Sequence, residues 1–290
     1  MTDARALADA LHAGGAARAR RRLASVLLHA ALGALAAGTL APLLWMLSVS
    51  FMPSGEATAL PPALLPSDPT LEHYRALFTR LRLARAFANS ALLAAAVTAV
   101  SLLLNALAGY AFAKLRFRGR DRLFRALLAA LVVPGQVGML PLFLMLKEMG
   151  LVNSYLGVLV PGLASIFGIF LVRQYALSIP DTVLDAARVD GAGELRIWWS
   201  VVLPLCRPIL VTLAIFTFMG AWNDFLWPLI VLSDEDLQTL PVALANLLGE
   251  HAQDVELMMA GSVLTVLPVV VLFALFQRHY LEGITAGSVR

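Results

Sequence analysis

The chain has 290 residues, of which 60% are hydrophobic and 14% charged, and its mean hydropathy is +0.80. This balance excludes a soluble enzyme, whose surface needs more polar side chains, and a disordered protein, which lacks apolar ones. The single cysteine, Cys206, rules out an intramolecular disulfide, and a net charge of only +3, with basic residues in short blocks between apolar runs, fits membrane topology and not nucleic-acid binding.

A helix rises about 1.5 Å per residue and the hydrocarbon core is about 30 Å thick, so a spanning helix takes roughly 20 apolar residues. Six runs qualify: 23–47, 86–113, 126–146, 151–172, 208–232 and 257–277. Asp224 is the only acid or strong base inside them. They are continuous, without the alternation of a barrel wall, so the fold class is all-α and polytopic, with six transmembrane helices. Arg18 and Arg20 to Arg22 precede the first run as a signal peptide's charged lead would. The long lead and a run exceeding the usual ~7–15 residue core favour a retained span.

Orientation follows from Lys and Arg, which short flanking segments keep on the cytoplasmic side. With the N-terminus inside, 17 basic residues fall inside and five outside, which places both termini in the cytoplasm of a cell-membrane protein. Arg75, Arg80, Arg82 and Arg85 run against the rule. They are explained by an interfacial helix capped by Thr70, with Leu71, Tyr74, Phe78 and Leu81 as its apolar stripe. Such a helix is an amphipathic lead-in to the second span or a contact for an extracytoplasmic partner. The basic stretch from Lys114 to Arg122 serves as a topological anchor, with anionic lipid and RNA as its other conceivable partners.

Between the fourth and fifth runs, residues 173–207 are too many and too patterned for a turn. Pro180 ends the preceding run, and Asp181 is the expected N-cap of a short helix with Val183, Ala186 and Ala187 on one face. Asp190-Gly191 ends it, since glycine takes the left-handed conformation of a helix stop. In a second helix Leu195, Trp198, Trp199 and Val202 fall at i, i+3, i+4 and i+7. Its tryptophans suggest a position against the membrane surface. Leu203-Pro204 and Pro208 interrupt it before the fifth span. The expected product is a small cytoplasmic helix-turn-helix whose Ala186 and Ala187 permit close approach by another protein.

Asp185-Ala186-Ala187-Arg188-Val189-Asp190-Gly191-Ala192, followed by Leu203-Pro204 and Pro208, resembles the EAA loop of ABC-importer permeases. Asp185 stands where that family usually has Glu, one methylene shorter. The resemblance runs from about Thr70 to Arg290. Asn89-Ser90, Val133-Pro134, Pro141-Leu142-Phe143, 150–154, Trp222-Asn223-Asp224-Phe225, Thr239-Leu240-Pro241 and the tail 277–287 narrow it to carbohydrate importers of the maltose-permease type.

That resemblance implies an ABC type I importer transmembrane domain that binds no cofactor itself, ATP being used by a partner. It implies a coupling helix docked on an ABC ATPase subunit dimer, a second homologous permease subunit and an extracytoplasmic sugar-binding protein. The organisation expected is a cytoplasmic tail at 1–22, the first span and an outer loop at 23–85, a core at 86–278 containing the coupling loop at 180–207, and a cytoplasmic tail at 279–290. Asp185, Ala186, Ala187, Asp190, Gly191, Ala192, Leu203 and Pro204 are the expected coupling residues.

No P-loop is present: Lys114 and Lys147 are the only lysines and follow Ala113 and Leu146, so ATP must be hydrolysed elsewhere. A sugar path needs hydrogen-bonding and aromatic groups without an ion cage, and the candidates are Asn89, Asn105, Gln136, Trp222, Asn223 and Asp224. An acid deep in a span costs roughly 2.5–3.5 kcal/mol on insertion scales, so Asp224 faces protein or water, either as a cap for a helix broken before Pro228 or in the path. The five histidines are scattered and there is no cysteine pair, so no metal site is expected.

A permease for another polar solute, such as a sugar phosphate or a polyol, is the nearest alternative, although no arginine lies inside the spans. An intramembrane enzyme would need a partner for Asp224, and ion-driven transport a second intramembrane carboxylate.

Overall fold

The computed structural model of the chain describes residues 3–61, 63–79, 83–250 and 254–285, and all regular structure among them is helical. The chain divides into two compact units, Met1–His73 with Val255–Ala260, and Tyr74–Asp254 with Gly261–Arg290.

In the first unit, α1 (Asp3–Val49) is one helix through both the basic lead and the first apolar run, with Pro42 inside it. Arg22–Val49 is long and apolar enough to cross a membrane. The loop after it is held by two carboxylates. Glu56 accepts from the Ser67 amide at 2.9 Å, and the buried Glu256 accepts from the Ala57 amide at 2.8 Å.

The short helix α2 (Glu72–Thr79) forms where the sequence predicts one, and the Thr70 hydroxyl accepts from the Glu72 amide at 3.1 Å. Its buried face differs from the expected stripe. His73 and Leu77 are buried, whereas Leu71 and Phe78 are exposed. The His73 ring bonds the Met52 carbonyl at 2.8 Å, and a histidine with a partner can be buried at little cost, which turns the helix away from its leucine stripe. Leu81, Arg80 and Arg82 lie outside the described residues.

The second unit is built around α3 (Leu83–Lys114), which packs against α7 (Ile166–Leu177) and α11 (Arg207–Trp222). Small residues set the spacing: a Cβ on Gly109 would stand 2.7 Å from the Val172 Cβ and 3.0 Å from the Arg173 amide nitrogen. Without a hydrophobic drive between helices in lipid, such close backbone approach supplies the packing energy.

Three further spans are broken. Helix α4 (Arg120–Ala130) and the segment that ends in α5 (Met139–Glu148) meet at 95°, and α6 (Tyr155–Gly162) meets α7 at 41°. After α8 (Asp181–Val189), an arm made of α9 (Glu194–Ile197), a π-helical turn and α10 (Leu203–Leu205) meets α11 at 80°. Helices α12 (Leu226–Val231), α13 (Leu240–Glu250) and α14 (Val255–Thr285) complete the chain. Counting each bent pair as one crossing gives up to six spans, with three helices continuous. Pro134, Pro204 and Pro208 sit at or beside the bends, where a missing N–H costs least.

Two of the interruptions, α6–α7 and α11–α12, are patched by side chains, which satisfies backbone groups freed at membrane depth. Ser165 caps α7, accepting from the Gly168 amide at 2.9 Å, while Asn105 Oδ1 accepts from the Ser165 amide at 3.0 Å. Between α11 and α12 the Asn223 amide group donates to the Met219 carbonyl at 2.9 Å, and Asp224 Oδ1 accepts from the Trp227 amide at 3.3 Å. Arg85, in the first turn of α3 and one of the four arginines that run against the charge rule, pairs with Asp236 at 2.8 Å, so its charge is answered within the protein.

Candidate functional site

Two regions hold the residues singled out in the sequence. The first is the segment between α7 and α11. Helix α8 begins at Asp181, so its N-cap is Pro180 and the expected cap by the Asp181 carboxylate is not made. Lys114 draws that carboxylate away instead: its Nζ lies 2.7 Å from Asp181 Oδ1 and 2.6 Å from the Ile179 carbonyl. An ionic hydrogen bond to an ammonium outweighs a cap bond to an amide. Helix α8 ends at Val189 with Asp190 as its C-cap, and Gly191 has φ of +79° with open space around it, as a left-handed stop requires.

Leu184 is the buried residue of α8, and Ala187, expected on the outward face with Val183 and Ala186, packs instead with it against the cluster of Tyr110, Ala113, Ala176, Ile197, Trp198 and Val202, because neighbouring residues of a helix point about 100° apart. The face presented outward carries Val183, Ala186 and, 87% exposed, Val189, and Leu195 of α9 is 74% exposed. The second helix also departs from its predicted stripe. Ile197, Trp198 and Val202 are buried, while Leu195 and Trp199 are exposed. Residues 198–202 form a π-helical turn, which widens the helix and replaces the 3.6 period on which the stripe rested.

Polar contacts brace this base. Arg188 bonds Asp185 Oδ1 and Glu194 Oε1, each at 2.8 Å, and the Tyr110 hydroxyl donates to Glu194 Oε2. Asp185 and Glu194 thus clamp one guanidinium from two helices, and Tyr110 ties the clamp to α3. The Lys114 ammonium holds the Asp181 carboxyl below its ordinary range, and Arg188 followed by Tyr110 does the same for Glu194.

A depressed carboxylate stabilises the loop fully above its unfolded pKa and loses that contribution as pH falls through the folded value. The loop is therefore expected to keep its structure from pH 8 to about 5 and to loosen only below the ordinary carboxylate range, near about 4. Hydrogen exchange across 181–195, measured at descending pH, checks this. Loosening between pH 7 and 6 would contradict it.

The second region is a cavity of about 510 Å³ inside the α3, α6, α11 and α12 cluster. Among the six residues proposed for the path, Asp224 lines it. Asn89 is buried and fully engaged. Its amide group donates to the Asp236 and Gln238 carbonyls at 3.0 and 2.9 Å, and its oxygen accepts from Tyr155 at 2.8 Å. Asn105 is buried at the α6–α7 break, and its amide group donates to Ser101 at 2.8 Å. Trp222 is buried, donating to the Thr265 carbonyl at 3.0 Å and packed edge-on against Phe87. Gln136 and Asn223 are exposed.

The cavity wall instead takes hydroxyls from Ser101, Ser165, Thr217 and Thr239, and aromatic surface from Phe167, Phe216 and Trp227. No signal beyond a polar atom within an apolar run marks the first three. The Thr239 hydroxyl is buried without a hydrogen-bond partner among the described residues. An orphaned buried hydroxyl costs about 1–3 kcal/mol, which a hydrogen bond gained on rearrangement of the wall would recover. No lysine or arginine lines the cavity. Among the described residues no cluster of His, Cys, Asp or Glu could hold a metal ion.

Proteins of related sequence and fold are known. The chain is 39% identical over 252 residues to the arabinooligosaccharides transport system permease protein AraQ of Halalkalibacterium halodurans, covering 86% of this chain and 90% of that one. It is 31% identical to the lactose transport system permease protein LacG of Rhizobium radiobacter, covering 93% and 98%. A chain in the crystal structure of a bacterial ABC transporter involved in the import of the acidic polysaccharide alginate superposes with a TM-score of 0.79 at 27% identity, over 89% of this chain and 97% of that one. Residues 105–285 match the family described as binding-protein-dependent transport system inner membrane component. The chain belongs to that family: it is a multi-pass membrane permease component of an ABC importer, and not an enzyme.

Proposed function

We propose that this chain forms one side of the translocation path of an ATP-driven carbohydrate importer and receives force through α8. Its partners are a dimer of ATPase subunits that bind and hydrolyse the ATP, a second homologous permease and an extracytoplasmic sugar-binding protein, with both termini in the cytoplasm. Asp185, Ala186, Asp190 and Gly191 form the docking face of the peg, Ala187 and Ala192 back it against the cluster beneath, and Leu203-Pro204 begin the hinge to α11. The observation that carries this reading is the contrast within α8. One face is locked to α3 and the α9 arm through Leu184 and the Arg188 clamp, and the other offers Val183, Ala186 and Val189 to a partner. A rigid peg of this kind transmits displacement, which an isolated loop does not.

The cargo proposed is a neutral saccharide, because the cavity sets hydroxyls and aromatic faces around one carboxylate and has no cation for a phosphate or an acidic sugar. Asn89, Asn105 and Trp222 then shape the path by fixing its helix ends, while Asp224 and Thr239 face the solute. Thr239→Val tests the cavity. Removing an unpaired hydroxyl leaves stability equal or slightly improved, whereas losing a sugar contact of about 1 kcal/mol weakens half-saturation of uptake about fivefold. The assay is labelled oligosaccharide uptake into vesicles holding the assembled importer, beside thermal unfolding. Unchanged uptake would remove Thr239 from the path, and the absence of ATP-dependent uptake of any neutral saccharide would defeat the assignment.

A further inference from the structure

The loop from α3 into α4 has a feature that neither coupling nor the sugar path uses. Arg116, Arg118, Arg120, Arg122 and Arg125 line a cavity of about 750 Å³, with Asp121 the only acid on its wall. Arg120 is spent on Asp121 at 3.0 Å and the Leu115 carbonyl at 3.2 Å, and Arg125 bonds the Asp121 carbonyl at 3.2 Å. Arg116, Arg118 and Arg122 are exposed and have no hydrogen-bond or ion-pair partner among the described residues. Gly119, at φ +86°, starts α4 with no side-chain cap, so the positive end of an 11-residue helix opens beside the three free guanidiniums.

Topological anchoring requires basic residues on one side of the membrane. It does not require five of them to converge on one cavity, where they repel each other until an anion enters. Guanidinium groups bind phosphate oxygens in pairs, and an uncapped helix start adds partial positive charge. Phe117 and Leu123, 43% and 52% exposed, stand beside the basic groups and offer apolar surface for acyl chains, which a free phosphate would not use. By the charge distribution this loop lies inside, at headgroup level, where anionic lipid is found.

We propose that this cavity binds the phosphate headgroup of an acidic phospholipid of the cytoplasmic leaflet.

The test uses the full-length chain copurified with its partner subunits and exchanged into mixed micelles of phosphatidylcholine with phosphatidylglycerol or cardiolipin, with retained lipid read by native mass spectrometry. Each basic residue near a membrane surface contributes roughly a fivefold gain, so R116Q/R118Q/R122Q should retain acidic lipid about a hundredfold less than the parent. Arg75→Gln, on the outer side, should retain as much as the parent. Retention that rises with 20-fold acidic enrichment over phosphatidylcholine and falls on adding salt supports the site even if the triple variant does not accumulate. Equal retention of both lipid classes, or equal retention by the triple variant, would overturn it. So would occupation by inorganic phosphate alone, or copurifying RNA in place of lipid. Uptake is not the readout, so the result stands apart from the transport assignment.

Discussion

Ala186→Trp is expected to reduce ATP-dependent uptake at least thirtyfold while the protein remains in the membrane at the parent level. Ala186 lies on the outward face of α8, exposed and remote from the Leu184 contact that anchors the helix, so an indole there meets solvent in the isolated chain and costs little stability. In a docked complex the same ring occupies the space of the partner's groove. Interface anchors are worth about 2–4 kcal/mol when lost, which corresponds to roughly 30- to 1,000-fold in occupancy. Leu184→Ala makes the necessary contrast. It empties a site 1% exposed inside the cluster of Tyr110, Ile197 and Trp198, and is expected to destabilise the loop by about 2–4 kcal/mol without obstructing the groove. Pull-down of the ATPase subunit separates the two, since the tryptophan variant should fail to capture it at any temperature and the alanine variant should recover on cooling. Normal capture and uptake with Ala186→Trp would remove α8 from the coupling path.

The parts of this molecule that can be read from the sequence are those governed by repetition. Apolar runs of the right length mark the spans, and the Asp-Gly stop at 190–191 marks the end of the peg, because both depend on local composition. What escapes is decided by partners distant in the chain. Asp181 leaves its capping position for Lys114, which is 67 residues away. His73 takes the buried place expected of its leucine neighbours once Met52 supplies a carbonyl. The stripe of the second loop helix fails because a π-turn changes the period, and nothing in Trp-Trp-Ser-Val-Val announces one. The cavity shows the same limit. Asparagines look like ligands in an apolar run, yet Asn89 and Asn105 are consumed in tying helix ends, while single serines and threonines, which in helices usually bond their own backbone, provide the wall.

The α3–α7 crossing offers the sharpest stability test. Gly109→Leu is expected to lower stability by about 3 kcal/mol or to prevent accumulation altogether. The first added carbon would lie 2.7 Å from both Cβ and Cγ1 of Val172 and 3.0 Å from the Arg173 backbone nitrogen, and the backbone cannot step aside as a flexible side chain would. Overpacking costs about 1–3 kcal/mol in a well-packed core and more where helices must separate. Here separation also pulls Arg173 from the Phe112 carbonyl, 3.3 Å from its Nε, and from the Phe124 ring 4.1 Å away. Gly38→Leu on α1 is the control, since nothing lies within 4 Å of its Cβ and leucine propagates a helix better than glycine by several tenths of a kcal/mol. Exchanging the small residue between the two faces, as Gly109→Ala with Val172→Gly, should recover part of the loss because the Arg173 contact remains. Thermal unfolding in detergent reads all three variants against the parent. Equal midpoints for Gly109→Leu and Gly38→Leu would show that the crossing is loose, and that the loop following α7 rests on something other than close contact between α3 and α7.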